Sequence, residues 1–364
     1  MAECDTNVRS RAQVDATNAV NQYVNTAIGL ASAPAGVNGR QVADSVYRLV
    51  GRNATWNPFS SNYKTKIEAW AGTGGPNFSF PVAQNVSKYA GVNYGLWGSS
   101  DGGLTRVLAP TIRIGDVYIG ADKLGHFMQQ GYVYYILVTR HGHTLADARQ
   151  WGHETEAAAP LNEVVHYTDP PLAIFGLQST GVYSRADLEA NSRGYEFYRW
   201  LENNPGGRFD IRDYVNANWN EETHTNLYHG DVAPVVWNNL LAGSWQGSFS
   251  IRNDPNNPRI AINGTLTPGE PNLENGTPID GRFTYTYHSG QVTVDIQGTI
   301  KYLETISGTD SLGFKGIRID YQWRSGPNRG LGIWRSGLTE HRLDGTWGWS
   351  TSHNDGGRFV IERI

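Results

Sequence analysis

Hydrophobic positions follow two rhythms along this chain, and the change falls near residue 240. Before it, apolar residues recur at helical spacing between loops rich in Gly, Pro and Asn. The spacing predicts helices over about 12–31, 40–50, 120–140, 144–158, 184–202 and 210–218. In the second of these, Ala43, Val46 and Val50 share one face. Residues 51–118 read as long loops with short helices or strands, and "NEVVHYTDPPLAIFG" reads as a connecting segment, since Pro170 and Pro171 forbid a helix through it.

After residue 240 the period drops to two. "SWQGSFSIR", "PRIAINGTLT", "GRFTYTYHSG", "QVTVDIQGTIKYL", "GIRIDYQW", "GLGIWRSG", "LDGTWGWSTS" and "GRFVIERI" alternate between turns of Gly, Asn, Asp and Pro. The fold class expected is therefore α+β with two domains. Residues 1–235 would form a mainly helical domain, and residues 240–364 an antiparallel β-barrel or sandwich of about eight strands. A short helix near 230–241 would hand one over to the other. Trp245 and Trp347 are expected where the barrel closes.

The stretch "GADKLGHFMQQGYVYYILV", residues 120–138, raises the chemical question. On a helix, Leu124, Phe127, Met128, Gly131, Tyr135 and Val138 form one apolar stripe, with Asp122, His126, Gln129 and Gln130 on the far side. That far side continues into Val133 and Leu137, so the helix becomes apolar all round and must be buried. Its polar start then enters the interior or lines a cleft. The i, i+4 spacing puts Asp122 and His126 within reach of each other or of one metal ion. A carboxylate there can orient the imidazole as a general base and raise its pKa. Lys123 points elsewhere, to snorkel or to pair with a carboxylate.

A second helix, "YSRADLEANSRGYEFYRWL", repeats the arrangement with Asp187 and Asn191 four apart. Ser184 and Asp187 also read as a capping-box-like start, which gives Asp187 a structural alternative. Asn191 shares a face with Leu188 and Tyr195 and needs a buried partner. Gly194 would permit close approach of another helix. Glu221, in "DYVNANWNEETHTNLY", is a further catalytic candidate, beside Trp219 and His224. "GHETEAA" lacks the second histidine of a zincin, but Glu154 could supply a third metal ligand after Asp122 and His126. His166 reads as structural rather than a ligand. "HGH" at 141–143 sits at a helix end, where histidine commonly caps carbonyls. No nucleophile elbow, phosphate loop or dinucleotide fingerprint is present.

Composition narrows the field. The net charge of −4 gives no electrostatic case for nucleic acid. A single cysteine excludes an intramolecular disulfide framework and a Cys-rich zinc site, so a divalent ion such as Zn would rest on His and carboxylate. No apolar run reaches the ~20 residues of a membrane span. The N-terminus lacks a signal peptide's apolar stretch, which leaves a cytosolic protein, export by a route needing none, or a mature secreted or periplasmic form. Twelve tryptophans and nineteen tyrosines suit a barrel core and keep a carbohydrate surface open.

The pair "ADKLGHFMQQGY" and "TGVYSRADLEANSRGYEFY" resembles a family of bacterial, often exported proteins of unassigned activity. Its members carry an Asp-Lys-x-x-His-Phe helix followed by an Asp-Leu-x-Ala-Asn-x-x-Gly helix. The resemblance spans roughly residues 110–230. It implies that Asp122, Lys123, His126, Asp187 and Asn191 belong together, and it brings no reaction. The C-terminal part resembles calycin or avidin-like barrels in layout.

Two functions follow as expectations. One is a hydrolase, secreted as an effector or acting at the cell envelope on a glycan or lipid, by acid–base or metal-assisted chemistry. The other is a non-catalytic binding protein that uses the barrel for a small ligand or carbohydrate, with the polar cluster structural.

Overall fold

The computed structural model describes residues 14–52, 64–73, 78, 84–92, 108–157, 176–178, 181–222, 226–230, 232–252, 259–272, 274–287, 290–306, 312–336 and 340–364. The protein is α+β and forms two units, Met1–Ser87 with Asn93–Asn226, and Lys88–Val92 with Leu227–Ile364. Cys4, His166 and His224 lie outside the described residues.

The first unit contains α1 (Thr17–Ser32), α2 (Gly39–Val46) and α3 (Lys66–Thr73), then a hairpin of β1 (Thr111–Ile114) and β2 (Val117–Gly120). The hairpin feeds a continuous helical run: α4 (Asp122–Gly125), a π-helical turn (His126–Gln130) and α5 (Gly131–Arg140). Next come α6 (Leu145–Ala157), the short strand β3 (Val182–Tyr183) and α7 (Arg185–Asn203). Val20, Val24, Val46, Leu124, Phe127, Phe197 and Leu201 belong to one core that these helices share. As the apolar pattern requires, α5 is buried nearly all round.

Two expected helices take other forms. The second stops being α-helical at Val46 and continues as a π turn, Tyr47–Gly51. Residues 210–218 form two 3-10 turns, Ile211–Asp213 and Ala217–Trp219, instead of a helix. The Asp210 side chain accepts from Arg212 N at 3.0 Å and that of Asn216 from Asn218 N at 2.8 Å. Such local side-chain bonds compete with the helical ladder and win here.

Close approach of α5 to α7 depends on two glycines. A Cβ on Gly131 would lie 2.4 Å from Gly194 Cα, and one on Gly194 would lie 2.0 Å from Phe127 O. The hydroxyl of Tyr198 donates to Met128 O at 2.8 Å, securing α7 to the π turn.

In the second unit, β4 (Leu227–Tyr228) and α8 (Ala233–Leu241) precede a closed antiparallel barrel. Its eight strands are β5 (Gly243–Phe249), β6 (Ile260–Pro268), β7 (Thr277–Tyr287), β8 (Gly290–Ile306), β9 (Leu312–Ser325), β10 (Asn328–Ser336), β11 (Arg342–Trp347) and β12 (Gly357–Arg363). Each pairs with its neighbours in sequence, and β12 closes on β5. Large inward aromatics face glycines across the ladder: Phe283 opposite Gly264, and Tyr321 opposite both Gly298 and Gly332. A Cβ on Gly332 would lie 2.1 Å from the Tyr321 ring, so a small barrel holds these rings only by leaving the opposite position bare.

The two tryptophans expected at the closure are separated. Trp245 is on β5 opposite Arg363, with its indole N–H donating to Leu241 O at 2.8 Å, whereas Trp347 is on β11 opposite Gly357, at the other end of β12. Residues 88–92 join this unit through Lys88, whose ammonium is buried 2.9 Å from Glu340 Oε2. Tyr228 donates to the same carboxylate, and Asn239 Nδ2 donates to Lys88 O and Ala90 O. Among the described residues, no helix is long and apolar enough to cross a membrane.

Candidate functional site

The polar start of the α4–α5 run is buried, and its centre is Lys123. The ammonium lies 2.7 Å from Asp122 Oδ2, 2.6 Å from Asp187 Oδ1 and 2.6 Å from Glu221 Oε1, with all four side chains buried. Lys123 meets the expected pairing with a carboxylate, with three of them, but inside the site and not pointing elsewhere. Its four-carbon stem lets the nitrogen turn back over its neighbour, while α7 and the turn after Trp219 bring the other carboxylates to it. Trp219 packs against Phe127, with ring centroids 5.6 Å apart, and Asn220 Oδ1 accepts from Glu222 N at 2.8 Å; together they set the bend that presents Glu221.

His126 joins the cluster through Asp187, not through Asp122. Its Nε2 lies 2.9 Å from Asp187 Oδ2, and its Nδ1 lies 3.1 Å from the Asn191 amide. With the ring protonated, that contact is an Nδ1–H donating to Asn191 Oδ1. Both ring nitrogens are therefore held within the protein. The Nε2 contact ties the imidazole to Asp187, where the spacing had paired it with Asp122.

Ser184 caps α7, as the sequence implied: its Oγ accepts from Asp187 N at 3.3 Å. The Asp187 carboxylate is thereby released from capping and turns to Lys123 and His126. Ser184 Oγ also donates to Glu221 Oε1 at 3.3 Å, and Ser184 N donates to Glu156 Oε1 at 3.0 Å. Asp122, His126, Asp187, Asn191 and Glu221 are thus brought together. Glu154 is not: it is half-buried and accepts from Gln150 on its own helix. Glu156 takes the place assigned to it. A signal for Glu156 was present, because Ala148, Gly152 and Glu156 recur every four residues on the buried stripe of α6, and Glu154 lies off it.

Glu68, at the start of α3, is a further buried acid that sequence reasoning did not single out. A Cβ on Gly125 would lie 2.9 Å from its Oε2, so that glycine admits α3 beside α4.

Electrostatics follow from burial and pairing. Burial pushes Asp122 up to about 7 against the pull of Lys123. Burial and the nearby Asp187 push Glu156 up to about 8. For Asp187 burial acts upward, but the charges of His126 and Lys123 overcome it and hold the carboxyl well below its usual range. Burial acts downward on His126, and the Asp187 charge and contact more than offset it, raising the imidazole. Lys123 and the His126 imidazolium offset the Asp187 carboxylate within the cluster, and Asp122 and Glu156 add no negative charge while they keep their protons. That balance is what makes its burial tolerable.

The donor set bears on a metal as well. Ligand oxygens of Asp122, Asp187 and Glu221 lie within 4.8 Å of one another, which suits a cation in distance. The Lys123 ammonium already sits within 2.7 Å of each. A divalent ion would have to displace a buried ammonium and add charge, so these residues fit the lysine and not a metal. The set expected for Zn, Asp122 with His126 and Glu154, does not assemble.

The titrations set a pH dependence. Between about pH 4 and 8 the folded chain binds more protons than the unfolded chain at Asp122 and Glu156, so stability falls as pH rises. His126 adds stability that is complete below its unfolded value of 6.5 and lost as pH rises through its higher folded value. Asp187 acts oppositely, its contribution being present above 3.8 and lost in stronger acid. The helical unit is expected to melt highest in mild acid and to decline toward pH 8, with Asp122→Asn and Glu156→Gln flattening the slope. Thermal melts followed by the helical circular dichroism signal check this, and an unchanged slope in both variants would refute it.

Comparison with known proteins finds no match to this chain among family models, curated proteins or solved structures. The functional reading therefore rests on the geometry.

Proposed function

We propose that the helical unit carries the catalytic centre of a hydrolase working by acid–base chemistry, with Asp122 as the proton-exchanging residue. One observation carries the reading. Asp122 Oδ2 is held by Lys123, while the buried Oδ1 has no hydrogen-bond partner among the described residues. With its pKa near 7, this carboxyl can take a proton from water as a carboxylate or return one to a leaving group at neutral pH.

In this reading the other residues act on Asp122. Lys123 fixes one oxygen and leaves the second for the reacting proton. Asp187 and Glu221 hold the ammonium in place, and His126 with Asn191 hold Asp187. A cell-envelope lipid or glycan is the substrate class to try first, lipid ahead of glycan, since a barrel with an apolar, aromatic-lined cavity shares the chain.

The test uses nitrophenyl esters and glycosides, phospholipid vesicles and isolated peptidoglycan as substrates for the full chain. Asp122→Asn keeps the shape and removes the titration. It is expected to lower turnover by roughly 10²–10⁴-fold and to abolish a pH-rate limb near 7. Turnover that survives in a folded Asp122→Asn variant, or a wild-type chain inert on every substrate, would refute the assignment. The second reading, a structural cluster beside a ligand-binding barrel, is favoured by the close pairing around Lys123 and expects the inert result.

A further inference from the structure

At the end of the barrel where the β5–β6, β7–β8, β9–β10 and β11–β12 connections lie, the interior is not filled. A cavity of about 380 Å³ opens there, within the range of roughly 300–1,000 Å³ typical of small-molecule sites. At the opposite end Trp245 is fully buried. Between the two ends Trp334 packs at a tilt against Tyr321, centroids 4.2 Å apart, and meets Phe359 at 4.9 Å, forming a packed layer. Above Tyr321 and Phe359 the wall residues shorten to Val292 and Val294, and the space is left open.

We propose that this cavity binds a neutral, predominantly apolar small molecule with one polar end, such as a medium-chain alcohol. The inference rests on the barrel alone and does not depend on the hydrolase reading. Its body would contact Phe249, Ile262, Val294 and Trp347, and its polar end would meet Ser325 and Asn328 at the β9–β10 turn. Among the described residues no charged side chain lines the cavity, so an anionic headgroup would meet no counter-ion from them and would bear the cost of a buried charge.

The same lining argues against a sugar. Recognition of a sugar needs hydrogen-bond partners around the ring, and three of the aromatic donors here are already committed to backbone. Trp323 Nε1 donates to Gly348 O at 2.9 Å, Trp347 Nε1 to Ser250 O at 3.0 Å, and Tyr321 OH to Thr346 O at 3.2 Å. Their ring surfaces remain available and their polar atoms do not. The rings are also fixed by one another, since Trp323 and Trp347 meet edge to face at 5.7 Å, so the wall is formed before a ligand arrives.

The probe is N-phenylnaphthylamine, a neutral apolar fluorophore, titrated into the full chain. One saturable site with enhanced emission is expected, displaced by decanol and not by decanoate or a malto-oligosaccharide. Val294→Trp, which fills the cavity from a half-buried wall position, is expected to weaken probe binding at least tenfold. Val292→Glu, which adds a carboxylate to the same wall, is expected to do the same, so either variant that melts like the wild type suffices. Absence of saturable binding would overturn the proposal. So would equal binding by a folded variant, or displacement by the sugar or decanoate as effective as that by decanol.

Discussion

Lys123→Met is expected to destabilise the helical unit by about 3–5 kcal/mol, the cost of breaking a buried ion pair from one side. Methionine nearly preserves the volume, so the loss measures charge and not packing. The ammonium sits 2.6–2.7 Å from three carboxylates that have been taken out of water. Without it, Asp122 can keep its proton and Asp187 keeps His126, whereas Glu221 loses the ammonium 2.6 Å from its Oε1. Adding Glu221→Gln to Lys123→Met should therefore restore much of the loss. At roughly 2–4 °C per kcal/mol for a domain of this size, the single variant should melt on the order of 6–20 °C lower. Thermal and denaturant melts of the single and double variants measure it. A loss below about 1 kcal/mol, typical of exposed pairs, would show that the cluster is solvated.

Gly194→Ala tests the packing that assembles the site. The added Cβ would lie 2.0 Å from Phe127 O, which is backbone and cannot swing away, so α7 must move from the π turn and α5. Overpacking of this kind costs about 1–3 kcal/mol. The shift should also loosen the contacts of Asp187 and Asn191 with His126, letting its pKa fall toward its ordinary value as Asp187 draws back. Denaturant melts and NMR titration of the histidines read the two effects separately. Gly29→Ala is the control: nothing lies within 4 Å of that Cβ on α1, and alanine should be neutral or stabilise by up to about 1 kcal/mol. If Gly194→Ala matched the control in both readouts, the close approach of the helices would be unnecessary.

Much of the architecture was legible along the chain because it depends on local periodicity. Alternation in "QVTVDIQGTIKYL" and "GIRIDYQW" marked β8 and β9, and the apolar run "YVYYILV" marked a buried helix, as α5 is. Gly194 announced a helix crossing because a bare position beside a line of aromatics has few other uses. Where local side-chain bonding competed with periodicity, as at Asp210 and Asn216, the pattern misled.

The site divided along the same line. Spacing put Asp122 and His126 on one face and Asp187 and Asn191 on another, and it could go no further. Which acid faces which base depends on how two helices cross, and that crossing made Asp187 the partner of His126. Lys123 looked peripheral because helical angle describes where a side chain leaves the backbone, not where a long one ends. The α6 stripe could mark Glu156 as buried, but its partner Ser184, 28 residues on, came only from the fold, as did the pairing of Lys88 with Glu340, 252 residues on. The sequence by itself determined the elements and which faces are buried, since both follow from neighbours within a few residues. Tertiary structure alone decided the pairing of buried charges, because Coulomb energies in a dry interior depend on distances of a few ångströms between residues far apart in the chain.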